Sequence, residues 1–211
     1  MHKDYLEKVI SFCNNKGLTL ILKGSLANGT AQKNSDIDLI IMGNLNNVII
    51  DEIITIYDKP IMTNYTENPI GIMILVYNVN VSVDLDIRTS ITEEELVDDV
   101  ILIKGTEPIV ISKLPERSVI ETEYIPIRPD WYKVLRLVHR SLLKHLSGKY
   151  DDAIELAHEA REKMSKDLLI ELDGNKNYQI DIYNIYSAVR NQFEVSPEMN
   201  NLFTKLLKEI L

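Results

Sequence analysis

Two hydrophobic rhythms divide this chain. Over roughly the first 115 residues the apolar positions come in short runs. Residues 18–22, 37–42, 72–77 and 81–87 are rich in Ile and Val and bounded by Gly or Asn, which predicts strands. Tyr77-Asn78-Val79-Asn80 reads as a turn joining the last two runs into a hairpin. Helical spacing fills the gaps at about 3–16, 45–58 and 92–99. The last of these opens with Thr92 and places Glu95 at capping-box distance. Beyond residue 130 the period changes to that of a helix. Trp131, Val134, Leu135, Val138, Leu142 and Leu146 share one face, and Gly148 follows as a stop. Further helices are predicted at about 152–165, 179–193 and 197–210, the last with Ser196 as N-cap and Pro197 in its first turn. Pro108, Pro115, Pro126 and Pro129 punctuate the change of rhythm, each removing a backbone donor and favouring extended chain before it. The pattern therefore predicts an α+β domain over 1–115, a Pro-containing linker over 116–130 and an all-α helical bundle over 131–211.

Composition narrows the function classes. The chain has 211 residues, 45 % hydrophobic and 26 % charged, enough to bury a real core. No stretch approaches the roughly 20 apolar residues of a membrane span, and the first residues lack the features of a signal peptide. The single Cys13 excludes an internal disulfide and any zinc-type spacing. The chain thus reads as cytoplasmic. Its net charge of −9 argues against long nucleic acid as a partner and suits a cationic one. The charge is uneven: residues 1–115 carry −7 and the remainder −2.

The chemistry concentrates between residues 22 and 39. A strand ends at Gly24-Ser25, a polar loop with Gly29 follows, and a new strand opens at Asp36-Ile37-Asp38-Leu39. Strand alternation puts Asp36 and Asp38 on one face, with Ile37 and Leu39 toward the core. Two such carboxylates repel each other unless a hard divalent cation lies between them, and Mg²⁺ suits oxygen ligands of this kind. Gly24 allows a tight turn and close approach to a ligand. Ser25 can offer a hydroxyl and an N–H to a phosphate oxygen. In the hairpin, Asp84 and Asp86 also share a face. If their strand lies beside that of Asp36, three or four carboxylates converge, sufficient for two metal ions.

Gly24-Ser25, ten residues, and then Asp36-Ile37-Asp38 resembles the signature of the DNA polymerase beta-like nucleotidyltransferase superfamily, in particular its antibiotic-modifying and minimal members. Gly29-Thr30 and Ser35 strengthen the likeness. The resemblance implies a mixed-sheet nucleotidyltransferase core and transfer of a nucleoside monophosphate from an NTP to an acceptor. It implies that Gly24 and Ser25 grip the triphosphate; Lys33, which flanks the phosphate loop, and Arg140, from the helical half, are further candidate nucleotide contacts by their charge. Asp36 and Asp38 would bind metal. A third acid is expected on a later strand: Asp86 is favoured because Asp86-Ile87-Arg88 resembles the family's continuation, and Asp84 stays open.

In the helical half, Lys133, Arg136, Arg140 and Lys144 fall on one predicted basic stripe, facing either the triphosphate or solvent. Arg140-Ser141-Leu142-Leu143-Lys144-His145 resembles the Arg-x4-His motif of HEPN ribonucleases, with Ser141 where another polar residue is usual. The expectation is a Mg²⁺-dependent enzyme with two ions, moving AMP from ATP to a hydroxyl of a small, cationic, antibiotic-like acceptor. It involves no membrane and leaves a homodimer open. The general base would be the third carboxylate or a bundle residue such as Glu155 or Glu159. The alternatives are modification of a protein partner, as in toxin–antitoxin pairs, and a HEPN-like ribonuclease or nucleotide-sensing module.

Overall fold

The computed structural model describes residues 2–97, 100–105 and 109–210. Pro108 and residues 98–99, the end of the helix expected over 92–99, lie outside them. The chain divides into two compact units, Met1–Pro126 and Ile127–Leu211, and the expected α+β class with a mixed sheet and a following helical part is what is found.

In the first unit the strands are β1 (Thr19–Lys23), β2 (Ile37–Met42), β3 (Met62–Glu67), β4 (Ile70–Asn78), β5 (Val81–Arg88), β6 (Ile91–Thr92), β7 (Val100–Lys104) and β8 (Val110–Ile111). Six form one sheet in the order β3-β4-β5-β2-β1-β7, while β6 and β8 pair separately. Within the large sheet β2 and β5 run parallel and the other pairings are antiparallel. Alternation sorts the side chains. Leu20, Leu22, Ile37, Leu39, Ile41, Leu75, Val83 and Leu85 form one buried face. The helices α1 (His2–Lys16) and α3 (Asn47–Ile54) cover it with Tyr5, Val9, Cys13, Ile50, Ile53 and Ile54. Inside this layer the rings of Tyr5, Tyr57 and Tyr77 meet at 5.6–5.8 Å, and the Tyr77 hydroxyl donates to the Ile54 carbonyl at 2.6 Å. On the opposite face Ile21, Ile40, Met42 and Ile91 form a smaller apolar cluster. The acids lie beside it, on the face that α1 and α3 leave uncovered.

The short helices α2 (Gly24–Ala27) and α4 (Glu93–Val97) follow β1 and β6. The capping box opening α4 is present: the Thr92 N–H donates to Glu95 Oε2 at 3.2 Å, and the Glu95 N–H donates to Thr92 Oγ1 at 3.3 Å. The proline-punctuated stretch is less of a linker than its composition suggests. As far as Pro126 it belongs to the first unit, because Ile120, Tyr124 and Ile125 are apolar and pack on the sheet's helical face. The Thr63 hydroxyl donates to the Tyr124 carbonyl at 2.8 Å, and the Tyr65 hydroxyl to the Ile120 carbonyl.

The second unit contains α5 (Asp130–Leu146), α6 (Tyr150–Leu168), α7 (Tyr178–Gln192) and α8 (Pro197–Ile210). Gly148, at φ +74°, ends the first of them as expected, and the Met199 N–H donates to the Ser196 N-cap at 3.2 Å. Ala153, Ala157, Ala160 and Met164 make a stripe of mostly small buried residues on α6, which lets α5 approach closely. The expected basic stripe on α5 does not hold. Arg136 is 5 % exposed and its Nη1 lies 3.0 Å from His139 Nδ1. The reason is that α5 contacts α6, α7 and α8, so it is covered on more than one side.

Candidate active site

Register on the uncovered face decides which acids meet. Asp38 on β2 stands opposite Asp84 on β5 and opposite Lys23 on β1. Paired positions on neighbouring strands share a face about 4.8 Å apart. Asp36, two residues before Asp38, is on the same face at the strand's entrance. Asp86 falls one row further on, opposite Ile40. The group that gathers is thus Asp36, Asp38 and Asp84, all half-buried, while Asp86 is 4 % exposed and otherwise engaged. Its Oδ2 accepts from Arg88 Nε at 2.7 Å and lies 2.9 Å from Arg117 Nη1.

Gly24 opens α2 directly against this group. Its φ is +65°, and a Cβ built there would lie 2.5 Å from Asp38 Oδ2. Only glycine meets both demands. Ser25 follows in the first turn, and its carbonyl accepts from the Thr30 and Ala31 N–H groups at 2.9 Å, which folds the 28–31 turn back onto the helix. Lys33 is exposed in the turn before Asp36. Arg140 is exposed on α5 and belongs to the second unit.

A line of charge that sequence reasoning missed borders the acids. Lys23 Nζ lies 3.4 Å from Glu95 Oε1, and Glu95 receives Arg88 through two nitrogens at 2.7 and 2.8 Å. Arg88 in turn holds Asp86. Burial pushes the Glu95 carboxyl up, but the hydrogen bonds from Arg88 and Thr92 and the charges of Arg88 and Lys23 outweigh it, holding the group near a pKa of about 2. Arg88 had a usable signal, since strand alternation puts it on the face of Asp84 and Asp86. Arg117 had none.

The residues fit a divalent cation. Asp36 Oδ1 is buried without a hydrogen-bond partner, and Gly24 keeps the approach to Asp38 Oδ2 clear. These are hard carboxylate oxygens, the donors Mg²⁺ prefers. Among the described residues no three His, Cys, Asp or Glu side chains are close enough together to hold an ion by themselves.

Residues 6–172, more than half of the chain, match the family described as the nucleotidyltransferase domain. This chain belongs to the nucleotidyltransferase domain family. It is therefore a transferase of phosphorus-containing groups, and members of the family generally use an NTP and a divalent metal. No curated protein matches this nucleotidyltransferase. Among its described residues no helix is long and apolar enough to cross a membrane.

The Arg-x4-His segment of this nucleotidyltransferase is built into its bundle. The His145 ring stacks on Tyr178 at 4.5 Å and meets the Tyr150 ring edge-on at 4.9 Å, and burial lowers its pKa. The Ser141 hydroxyl donates to the Ala153 carbonyl at 2.7 Å and lies 2.8 Å from the Tyr178 hydroxyl, tying α5 to α6 and α7.

Proposed function

We propose that this nucleotidyltransferase is Mg²⁺-dependent and moves AMP from ATP to a hydroxyl of a small-molecule acceptor. The observation that carries this reading is the parallel pairing of β2 and β5 with Asp38 in register with Asp84, and with Gly24 close against Asp38. Asp36 and Asp38 are the metal-binding pair and Asp84 is the third carboxylate. The sequence favoured Asp86 for that role, but the guanidinium groups of Arg88 and Arg117 already occupy its Oδ2. Metal bound by these acids would neutralise the triphosphate and polarise the phosphorus under attack.

The chain's own groups do the rest. The Gly24 and Ser25 backbone and the Ser25 hydroxyl bind phosphate oxygens, and Lys33 adds positive charge to the triphosphate. Asp84 takes the proton of the acceptor hydroxyl as its oxygen bonds to the α-phosphorus and the pyrophosphate bond breaks. The test is incubation with Mg²⁺ and each labelled NTP, with and without pools of small-molecule, protein and RNA acceptors. Transfer from ATP that disappears in Asp36→Asn, Asp38→Asn and Asp84→Asn supports the reading. Full activity in those variants, with His145→Ala inactive, overturns it.

A further inference from the structure

At the far end of β2 and β5 lies a cavity of about 290 Å³ lined by Gly71, Asp86, Arg88, Ser90, Arg117 and Ser118, among others. We propose that it is the acceptor pocket, and that Arg117 selects there a small molecule carrying a carboxylate or a phosphate monoester. The proposal rests on the nucleotidyltransferase reading above and names its acceptor class.

Position comes first. Asp86 lines the cavity and lies on the same strand face as Asp84, two residues on, roughly 7 Å along the strand. A molecule seated in the cavity can extend a hydroxyl toward the acids. The volume suits a small molecule, at the lower end of ligand pockets.

Charge decides the class. Arg88 spends all three of its nitrogens, one on Asp86 and two on Glu95. Arg117 approaches the same Asp86 oxygen that Arg88 already uses, and its Nη1 makes no hydrogen bond of sound geometry there. The cavity's own charged lining is Asp86 and Glu116 against Arg88 and Arg117; of these Asp86 is already held by Arg88, which leaves Arg117 the under-compensated buried group. The Arg117 side chain is 18 % exposed, and a largely buried guanidinium with unspent donors is unfavourable until an anion takes them. Its planar fork suits the two oxygens of a carboxylate or phosphate. Glu116 also lines the cavity, but it is exposed and so screened by water.

Arg117 is also held in place. Gly71, at φ +99°, lets the 117–118 strap pack on β4: a Cβ there would lie 2.8 Å from the Ser118 carbonyl oxygen and 3.5 Å from Arg117 Cβ. The Tyr65 hydroxyl fixes the strap again at the Ile120 carbonyl. The buried carboxylate of this pocket, Asp86, is already taken by guanidinium groups, so nothing buried there favours the cationic acceptor that the net charge of −9 suggested.

The test is calorimetry on the full chain with glycerol 3-phosphate, glycerate, uncharged glycerol and the aminoglycoside kanamycin, and separately with Mn²⁺–ATP. At least one of the two anions should bind, and glycerol and kanamycin should not. Arg117→Gln should weaken anion binding about tenfold to a hundredfold, the loss of a charge-assisted contact. Arg117→Lys should restore part of it, and melting curves of both variants report whether they fold. Asp38→Asn should lose Mn²⁺–ATP and keep the anion. Mn²⁺–ATP binding without any anion binding, anion binding unchanged in a folded Arg117→Gln, or preference for kanamycin would each overturn the anionic acceptor alone. No Mn²⁺–ATP binding by the wild type would overturn the nucleotidyltransferase reading and the acceptor role with it.

Discussion

Gly24→Ala is the sharpest probe of the site, because two penalties meet at that residue and a control separates them. The first is conformational. At φ +65° an L side chain is strained by roughly 1–2 kcal/mol. Gly29, at φ +76° with nothing within 4 Å of a built Cβ, carries that penalty alone. The second is steric and specific. The new methyl would start 2.5 Å from Asp38 Oδ2, whereas tolerated contacts begin at 3.0–3.4 Å, so the carboxylate must retreat by 0.5–0.9 Å. Displacements of about 1 Å in reacting groups cost on the order of a hundredfold in rate. Both variants should therefore lose stability in thermal melts, Gly24→Ala at least as much as Gly29→Ala. Only Gly24→Ala should lose Mn²⁺–ATP affinity and nucleotidyl transfer by tenfold or more. Equal Mn²⁺–ATP affinity in the two variants would refute the claim that Gly24 exists to clear the Asp38 carboxylate.

The other expectations concern the acids, the charge line and the bundle. Asp84→Asn should abolish Mn²⁺–ATP binding, while Asp86→Asn should keep most of it and lower the melting temperature by leaving Arg88 and Arg117 short of a partner; the opposite ranking in titrations would return the third-ligand role to Asp86. The Glu95 carboxyl ionises near pH 2 when folded against an ordinary 4.5, so its stabilisation is complete above pH 4.5 and vanishes as pH falls toward 2. Allowing for solvent screening it is worth about 1–2 kcal/mol, and the gap between wild type and Glu95→Gln in urea melts should close over that window. Burial and the positive charges of Arg136 and Arg140 hold the His139 pKa well below 6.5. The unfolded chain then takes up a proton below pH 6.5 that the folded one refuses, and stability falls by up to about 1.4 kcal/mol per pH unit; His139→Gln should flatten that slope in melts between pH 7 and 5. Tyr77→Phe should cost about 1–2 kcal/mol in urea unfolding, since the buried Ile54 carbonyl loses its donor.

What could be read from the sequence here is local, and what could not is register and burial by distant chain. The boundaries of β2 were legible because Ile37 and Leu39 alternate with Asp38 and Gly43 closes the run. The signature glycine, serine and paired acids lie within fifteen residues, so one loop fixes them together. The edge strand β3, Met-Thr-Asn-Tyr-Thr-Glu, gave no such signal, because a strand with one open side can carry polar residues throughout. A period of two puts both Asp84 and Asp86 on one face and cannot rank them. Only the pairing of β5 with β2 sets Asp84 beside Asp38, and the engagement of Asp86 comes from Arg88 on its own strand and from Arg117, some thirty residues away. The same limit misplaced Arg136, whose helical spacing is that of a solvated stripe until three other helices surround α5. Net charge fails for a related reason. It sums side chains that never meet, whereas a ligand responds to the few within reach, and at the cavity beside Asp86 those few balance, two carboxylates against two guanidinium groups.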